Sequence, residues 1–168
     1  MKGRNGSGKT TLLKLILNSG QYKHTGVIRL GTEYVCYLDQ KAECLNEEFS
    51  ILDNFRAFNP NLDETETRYA LAKFLFPNKA ALQIVKTLSG GEKMRAALAC
   101  LLMAEKVPQL LMLDEPTNHL DIRSVENIEA ALNQFSGAMI VISHDKSFLK
   151  AIGITHELEI RNGRFLSL

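Results

Sequence analysis

Apolar runs and the residues that punctuate them divide the chain into alternating helices and short strands. The apolar positions of Leu12 to Leu17 predict a helix from about Thr10, stopped at Gly20. Gly26 to Leu30 and Glu33 to Leu38 read as two short strands joined at Gly31-Thr32. Ser50 then opens one helix, and Asp63 with Glu66 forms a capping-box pattern that opens another, with Pro60 and Pro77 separating the pieces. The segment from about 45 to 87 is therefore a helical insert. Ser89 with Glu92 is a further capping box, opening a long Ala- and Leu-rich helix that ends before Pro108. Gln109 to Leu113 is a continuous apolar run ending in two carboxylates, the signature of a buried parallel strand. Asp121 caps a helix to about Phe135, Ala138 to Ile142 is a second buried strand, and Asp145 caps a short helix. Glu157 to Ile160 and Arg164 to Leu168, around Asn162-Gly163, predict a hairpin. Strands alternating with helices give an α/β fold with a mainly parallel core sheet.

The 168 residues make one domain, 1–168, with a helical subdomain over approximately 45–105. A chain of this length buries about two-thirds of its unfolded surface and needs no covalent staples. With 20 basic and 19 acidic residues, the net charge of +1 provides no global field toward nucleic acid or an anionic membrane. Cys36, Cys44 and Cys100 have no ligand-like spacing and read as reduced thiols of a cytoplasmic protein. The longest uninterrupted apolar run, Ala96 to Ala104, is too short to span a membrane, so no membrane insertion is expected. Lys2 and Arg4 before an apolar run resemble a signal peptide, but Lys14 interrupts that run. Tyr34 and Tyr37 read as strand packing. Phe49, Phe55, Phe58, Phe74 and Phe76 read as core of the helical insert.

Three segments carry candidate chemistry. Gly3-Arg4-Asn5-Gly6-Ser7-Gly8-Lys9-Thr10 fits G-x-x-x-x-G-K-[ST] at every position. Its glycines let the backbone curl so that successive amides point at phosphate oxygens, and the following helix adds its positive end. Lys9 is placed to reach the β- and γ-phosphates, and the Thr10 hydroxyl to ligate Mg²⁺. Only Met1 and Lys2 precede the loop, so the strand that carries such a loop is expected to be missing here. Asp114, at the tip of the apolar run, is placed to hold Mg²⁺, and Glu115 to polarise an attacking water. Ser89, Gly90, Gly91 and Glu92 put a hydroxyl and bare amides at a helix start, a second anion site suited to a γ-phosphate.

Taken in order, Gly3 to Thr11, Leu88 to Glu92, Leu110 to Glu115 and Ser143-His144-Asp145 resemble the ATP-binding cassette (ABC) ATPase domain, a P-loop NTPase fold, over essentially the whole chain. The resemblance implies ATP and Mg²⁺ as cofactors. It places Gln40 as the glutamine that joins Thr10 and Asp114 around Mg²⁺, and His144 as the switch histidine on the γ-phosphate. It identifies Asn118 to Asp121 as the D-loop. Asp114 to Asp121, reading DEPTNHLD, and Glu92 in place of the transporters' glutamine are similar to the ABC-F class, whose members act on the ribosome in translation. Cassettes of this family pair head to tail, so a second cassette, in the same or another chain, is an implied partner, with Ser89 to Glu92 serving its nucleotide. The ribosome is the other implied partner. The upstream aromatic that stacks on adenine in this family is not found here. Two further readings stay open at this point: the ATP-binding subunit of an ABC transporter, and a truncated cassette with no ATPase activity.

Overall fold

The computed structural model describes residues 1–4, 6–17, 21–39, 41–161 and 164–167, the stretch from 161 onward as backbone alone. Gln40 and Asn5 lie outside the described residues.

Three parallel strands, β1 (Val35–Asp39), β2 (Leu110–Asp114) and β3 (Ala138–Ile142), form a sheet in that spatial order. The register pairs Asp39 with Asp114 and Asp114 with Ile142, so the C-terminal ends of all three strands finish at one edge. The central strand is covered on both faces, which is why it reads as a continuous apolar run rather than an alternation. Leu110 and Met112 pack with Ile142 beneath Leu13 of the first helix, α1 (Lys9–Leu17). Leu111 and Leu113 point into the larger core on the other face.

That larger core is built by α2 (Ile51–Phe58), α3 (Glu64–Lys73), two short 3₁₀ turns, α4 (Gly90–Leu102) and α5 (Ile122–Leu132), with α6 (Lys146–Ala151) beside α5. Each cap read from the sequence is formed. Ser50 and Asp121 accept from the amides of Asp53 and Ser124, and Asp145 from that of Phe148. The capping boxes at Asp63 and Ser89 are both reciprocal. The hairpin joins β4 (Leu158–Arg161) to β5 (Arg164–Ser167), with Arg161 opposite Arg164.

Several expectations are corrected. Gly26 to Leu30 is not a strand. Its backbone has no ladder partner among the described residues, and Val27 is 79% exposed, so neither pairing nor burial fixes an extended ladder. The following strand starts at Val35, not Glu33. Tyr34 therefore precedes the sheet, exposed, with Lys106 over its ring at 5.5 Å. Of the five phenylalanines, Phe55 and Phe76 are fully buried and Phe58 and Phe74 pack against the core, but Phe49 is exposed.

The free side of β3 is not bare. The amino group of Met1 donates to the carbonyl of Val141, and Lys2 pairs in parallel with Glu159 through Lys2 N to Leu158 O (2.8 Å) and Ile160 N to Lys2 O (2.9 Å). Met1 and Lys2 thus stand between β3 and β4. Beside them lies an apolar cavity of about 220 Å³ lined by Leu12, Ile16, Met139, Ile140 and Leu158 among others.

Candidate functional site

The loop of residues 3–8 opens directly into α1. Gly6 (φ 79°) and Gly8 (φ 95°) adopt left-handed backbone that a side chain would strain, which bends the chain around a central space. The carbonyl of Gly8 accepts from Leu12 N at 2.9 Å. The first-turn amides of Lys9, Thr10 and Thr11 consequently have no intrahelical acceptor and face outward from the helix start. Together with the helix dipole they make a concave, electropositive end.

Lys9 is the most informative side chain. It is 92% buried by its 8% exposure, and its ammonium donates to the carbonyls of Gly3 (2.8 Å) and Arg4 (3.2 Å). Among the described residues no carboxylate lies within ion-pair distance of it. A buried cation compensated only by carbonyl dipoles calls for an anion. The Ser7 hydroxyl, also buried, has no partner among the described residues.

The strand ends deliver the acids. A cleft of about 260 Å³ is lined by Gly6, Gly8, Lys9, Thr10, Thr11, Asp114, Glu115 and Ile142. Oδ2 of Asp114 accepts from the Thr10 hydroxyl at 2.6 Å and from the Tyr37 hydroxyl at 3.1 Å. A hydroxyl and a carboxylate converging beside a phosphate-type loop form an all-oxygen donor set, which suits Mg²⁺. Burial, and after it the Asp114 carboxylate, push the Tyr37 phenol above the usual tyrosine pKa, so it remains a donor.

Glu115 follows Asp114 in left-handed backbone (φ 51°), held there by its amide's 2.9 Å bond to the Ile142 carbonyl. A non-glycine residue kept in this region costs energy that the surrounding structure must offset, and such residues cluster at working sites. Its carboxylate meets Nε2 of His144 at 3.4 Å. His144, two residues past the end of β3, is largely exposed and reaches the cleft through this contact with Glu115.

The candidate site residues fall into two groups. The loop, Thr10, Asp114, Glu115 and His144 converge. Ser89, Gly90, Gly91 and Glu92 do not line this cleft. Their geometry is that of a closed cap: the Ser89 hydroxyl donates to Glu92 at 2.8 Å and accepts from its amide at 3.3 Å. Gly91 is packed against α5, where a Cβ would lie 2.7 Å from the Ser124 hydroxyl. Tyr37 escaped the sequence reading as a site residue. The available signal was its place two residues before the acidic end of β1, on a strand paired in parallel with the one bearing Asp114.

Comparison with known proteins agrees with this geometry. The sequence pattern of the ABC transporter family matches residues 1–118. The chain is 40% identical over 152 residues to the ATP-binding protein Uup of Haemophilus influenzae, covering 88% of this chain and 23% of that protein. It is 36% identical over 153 residues to the mouse ATP-binding cassette sub-family F member 3, covering 89% of this chain and 21% of the relative. The chain thus spans about a quarter of the length of such relatives. The fold matches a bacterial Atm1-family ABC exporter with ATP bound (TM-score 0.77, 21% identity, 98% of this chain and 32% of that one). It also matches a structure described as a metal-chelate type ABC transporter in an inward-facing conformation (TM-score 0.70, 23% identity, 98% and 69%). Among the described residues no helix is long and apolar enough to cross a membrane. With a phosphate-type loop, an Asp-Glu strand end and a capped signature helix in family order, the chain belongs to the ATP-binding cassette family, as an ABC ATPase domain.

Proposed function

We propose that this domain binds Mg·ATP in the cleft between α1 and the ends of β2 and β3, and hydrolyses it when a second cassette closes over that cleft. The observation that carries this reading is the buried Lys9 ammonium at the start of α1, turned onto loop carbonyls with no carboxylate within ion-pair distance among the described residues. Phosphate oxygens supply the missing negative charge. Thr10 and Asp114, with Gln40 as the family resemblance assigns it, would hold Mg²⁺. When bound, that ion neutralises charge on the β- and γ-phosphate oxygens. Glu115 orients the attacking water and accepts its proton. His144, already in contact with Glu115, serves the γ-phosphate as the family resemblance assigns it.

The signature at Ser89 to Glu92 does not line this cleft, which fits a role toward the ATP of a head-to-tail partner. The helical subdomain over approximately 45–105 carries that signature, so its movement against the sheet opens and closes the composite site. The likeness to ABC-F proteins supports a cytoplasmic setting and coupling of the cycle to the ribosome in translation.

The experiment is ATP turnover by the purified protein with its second cassette, with and without ribosomes. Glu115→Gln keeps size and hydrogen bonding but removes the base, and turnover should fall by about 10²-fold while ATP binding survives. Ribosomes should stimulate the wild-type rate. Near-normal turnover in Glu115→Gln refutes the assignment of the base. An unchanged rate with ribosomes refutes the translation coupling alone.

A further inference from the structure

Asp114 has a second hydroxyl partner that the phosphate-loop motif does not provide. Thr10 reaches Oδ2 from α1, and Tyr37 reaches the same oxygen from β1, the neighbouring strand. The Tyr37 ring packs against the small core of Leu13, Leu110, Met112 and Ile142 beneath α1, which holds its position. The parallel register makes this contact possible: Tyr37 lies opposite Met112, two residues before Asp114, and its long side chain spans the remaining distance to the strand end.

The two hydroxyls are not equivalent. The Thr10 oxygen is itself a candidate Mg²⁺ ligand, and Thr10 is exposed on a helix start beside the nucleotide cleft. Tyr37 stands on β1, does not line that cleft, and has no such second task. A carboxylate held by one fixed donor keeps its orientation while its other partner rearranges around an incoming ion.

We propose that Tyr37 is a positioning residue for the metal-holding carboxylate: its hydroxyl, on Oδ2 of Asp114, keeps Asp114 aimed at the Mg²⁺ position whether or not nucleotide is bound. The inference rests on the Mg·nucleotide reading given above.

Tyr37→Phe removes one oxygen atom and leaves the ring packing. The test measures affinity for a fluorescent ATP analogue, first in EDTA and then along a Mg²⁺ titration, with thermal melting alongside. In Tyr37→Phe the EDTA affinity and the melting temperature should match wild type, while the Mg²⁺ concentration for half-maximal tightening rises about tenfold, the scale of a charge-assisted hydrogen bond. The Mn²⁺ spin-resonance spectrum of the analogue complex should also broaden, reporting a less uniform ligand geometry. An unchanged Mg²⁺ half-saturation overturns the proposal. So does an equal loss of affinity in EDTA and in Mg²⁺ together with a lowered melting temperature, because that pattern marks a packing residue. If wild type itself shows no Mg²⁺-dependent tightening, the Mg·nucleotide reading falls and the role of Tyr37 falls with it. A Mg²⁺-dependent wild type with an indifferent Tyr37→Phe overturns only the latter.

Discussion

Gly91→Ala is the substitution whose cost the structure specifies most closely. Gly91 sits in the first turn of α4, backed against the first turn of α5. A Cβ there would lie 2.7 Å from the Ser124 hydroxyl, 3.0 Å from Ser124 Cβ and 3.3 Å from Leu120 Cδ2. Leu120 can swing aside, but the Ser124 hydroxyl is tied to Asp121 at 2.6 Å and the residue is buried. The two helix starts must move apart, at the roughly 1–3 kcal/mol typical of an overpacked contact. Alanine's better helix propensity offsets at most about 1 kcal/mol, less near a helix end. The net expectation is a loss of about 1–2 kcal/mol. Ser124→Gly removes the two nearest of these three atoms. Urea denaturation of wild type, Gly91→Ala, Ser124→Gly and the double variant gives the coupling directly. The double variant should be more stable than the sum of the single changes predicts, by about 1–2 kcal/mol. Strictly additive effects, or a Gly91→Ala protein as stable as wild type, would refute the claim that close approach of α4 and α5 requires this glycine.

Other outcomes are equally direct. Ser89→Arg should leave ATP binding by the single domain intact and block pairing or hydrolysis, read by titration and by turnover; equal loss of binding would place Ser89 in its own domain's cleft. Leu113→Ala, at a fully buried position on the central strand, should cost about 2–5 kcal/mol in a urea melt. Burial, with a smaller contribution from nearby Cys36, pushes the Cys44 thiol up to about 11, and burial likewise raises Cys36 and Cys100. Because the thiolate is the reactive form, labelling of the native protein should be slow at pH 8 and rise with pH well past the ordinary thiol range. Rapid native-state labelling at pH 8 would contradict this, while unfolded protein should label at all three cysteines.

What the sequence made legible was local. The caps at Ser50, Asp63, Ser89, Asp121 and Asp145 each depend on a side chain and an amide three residues away, so spacing alone reveals them. The apolar run at β2 carried its own burial, and the phosphate loop its own glycines. What stayed hidden depended on which distant segments meet. The Tyr37 hydroxyl finds Asp114 only through the β1–β2 register, and Gly91 reads as an anion-site glycine until α5 is seen behind it. Gly26 to Leu30 has strand-like residues, but propensity cannot form a ladder without a neighbouring backbone. Phe49 sits beside the well-buried Ser50, and hydropathy does not distinguish a residue that points outward from one that points in.

The central claim is that the buried Lys9 ammonium is the anchor of a nucleotide phosphate site. Calorimetric titration of Mg·ATP into wild type and Lys9→Ala tests it with the fewest assumptions. Wild type should bind one nucleotide per domain, and Lys9→Ala should give no measurable binding heat, since Lys9 is the one cation among the described residues that line the cleft. An affinity in Lys9→Ala within about threefold of wild type, a difference well under the size of a buried charge–phosphate contact, would contradict the account.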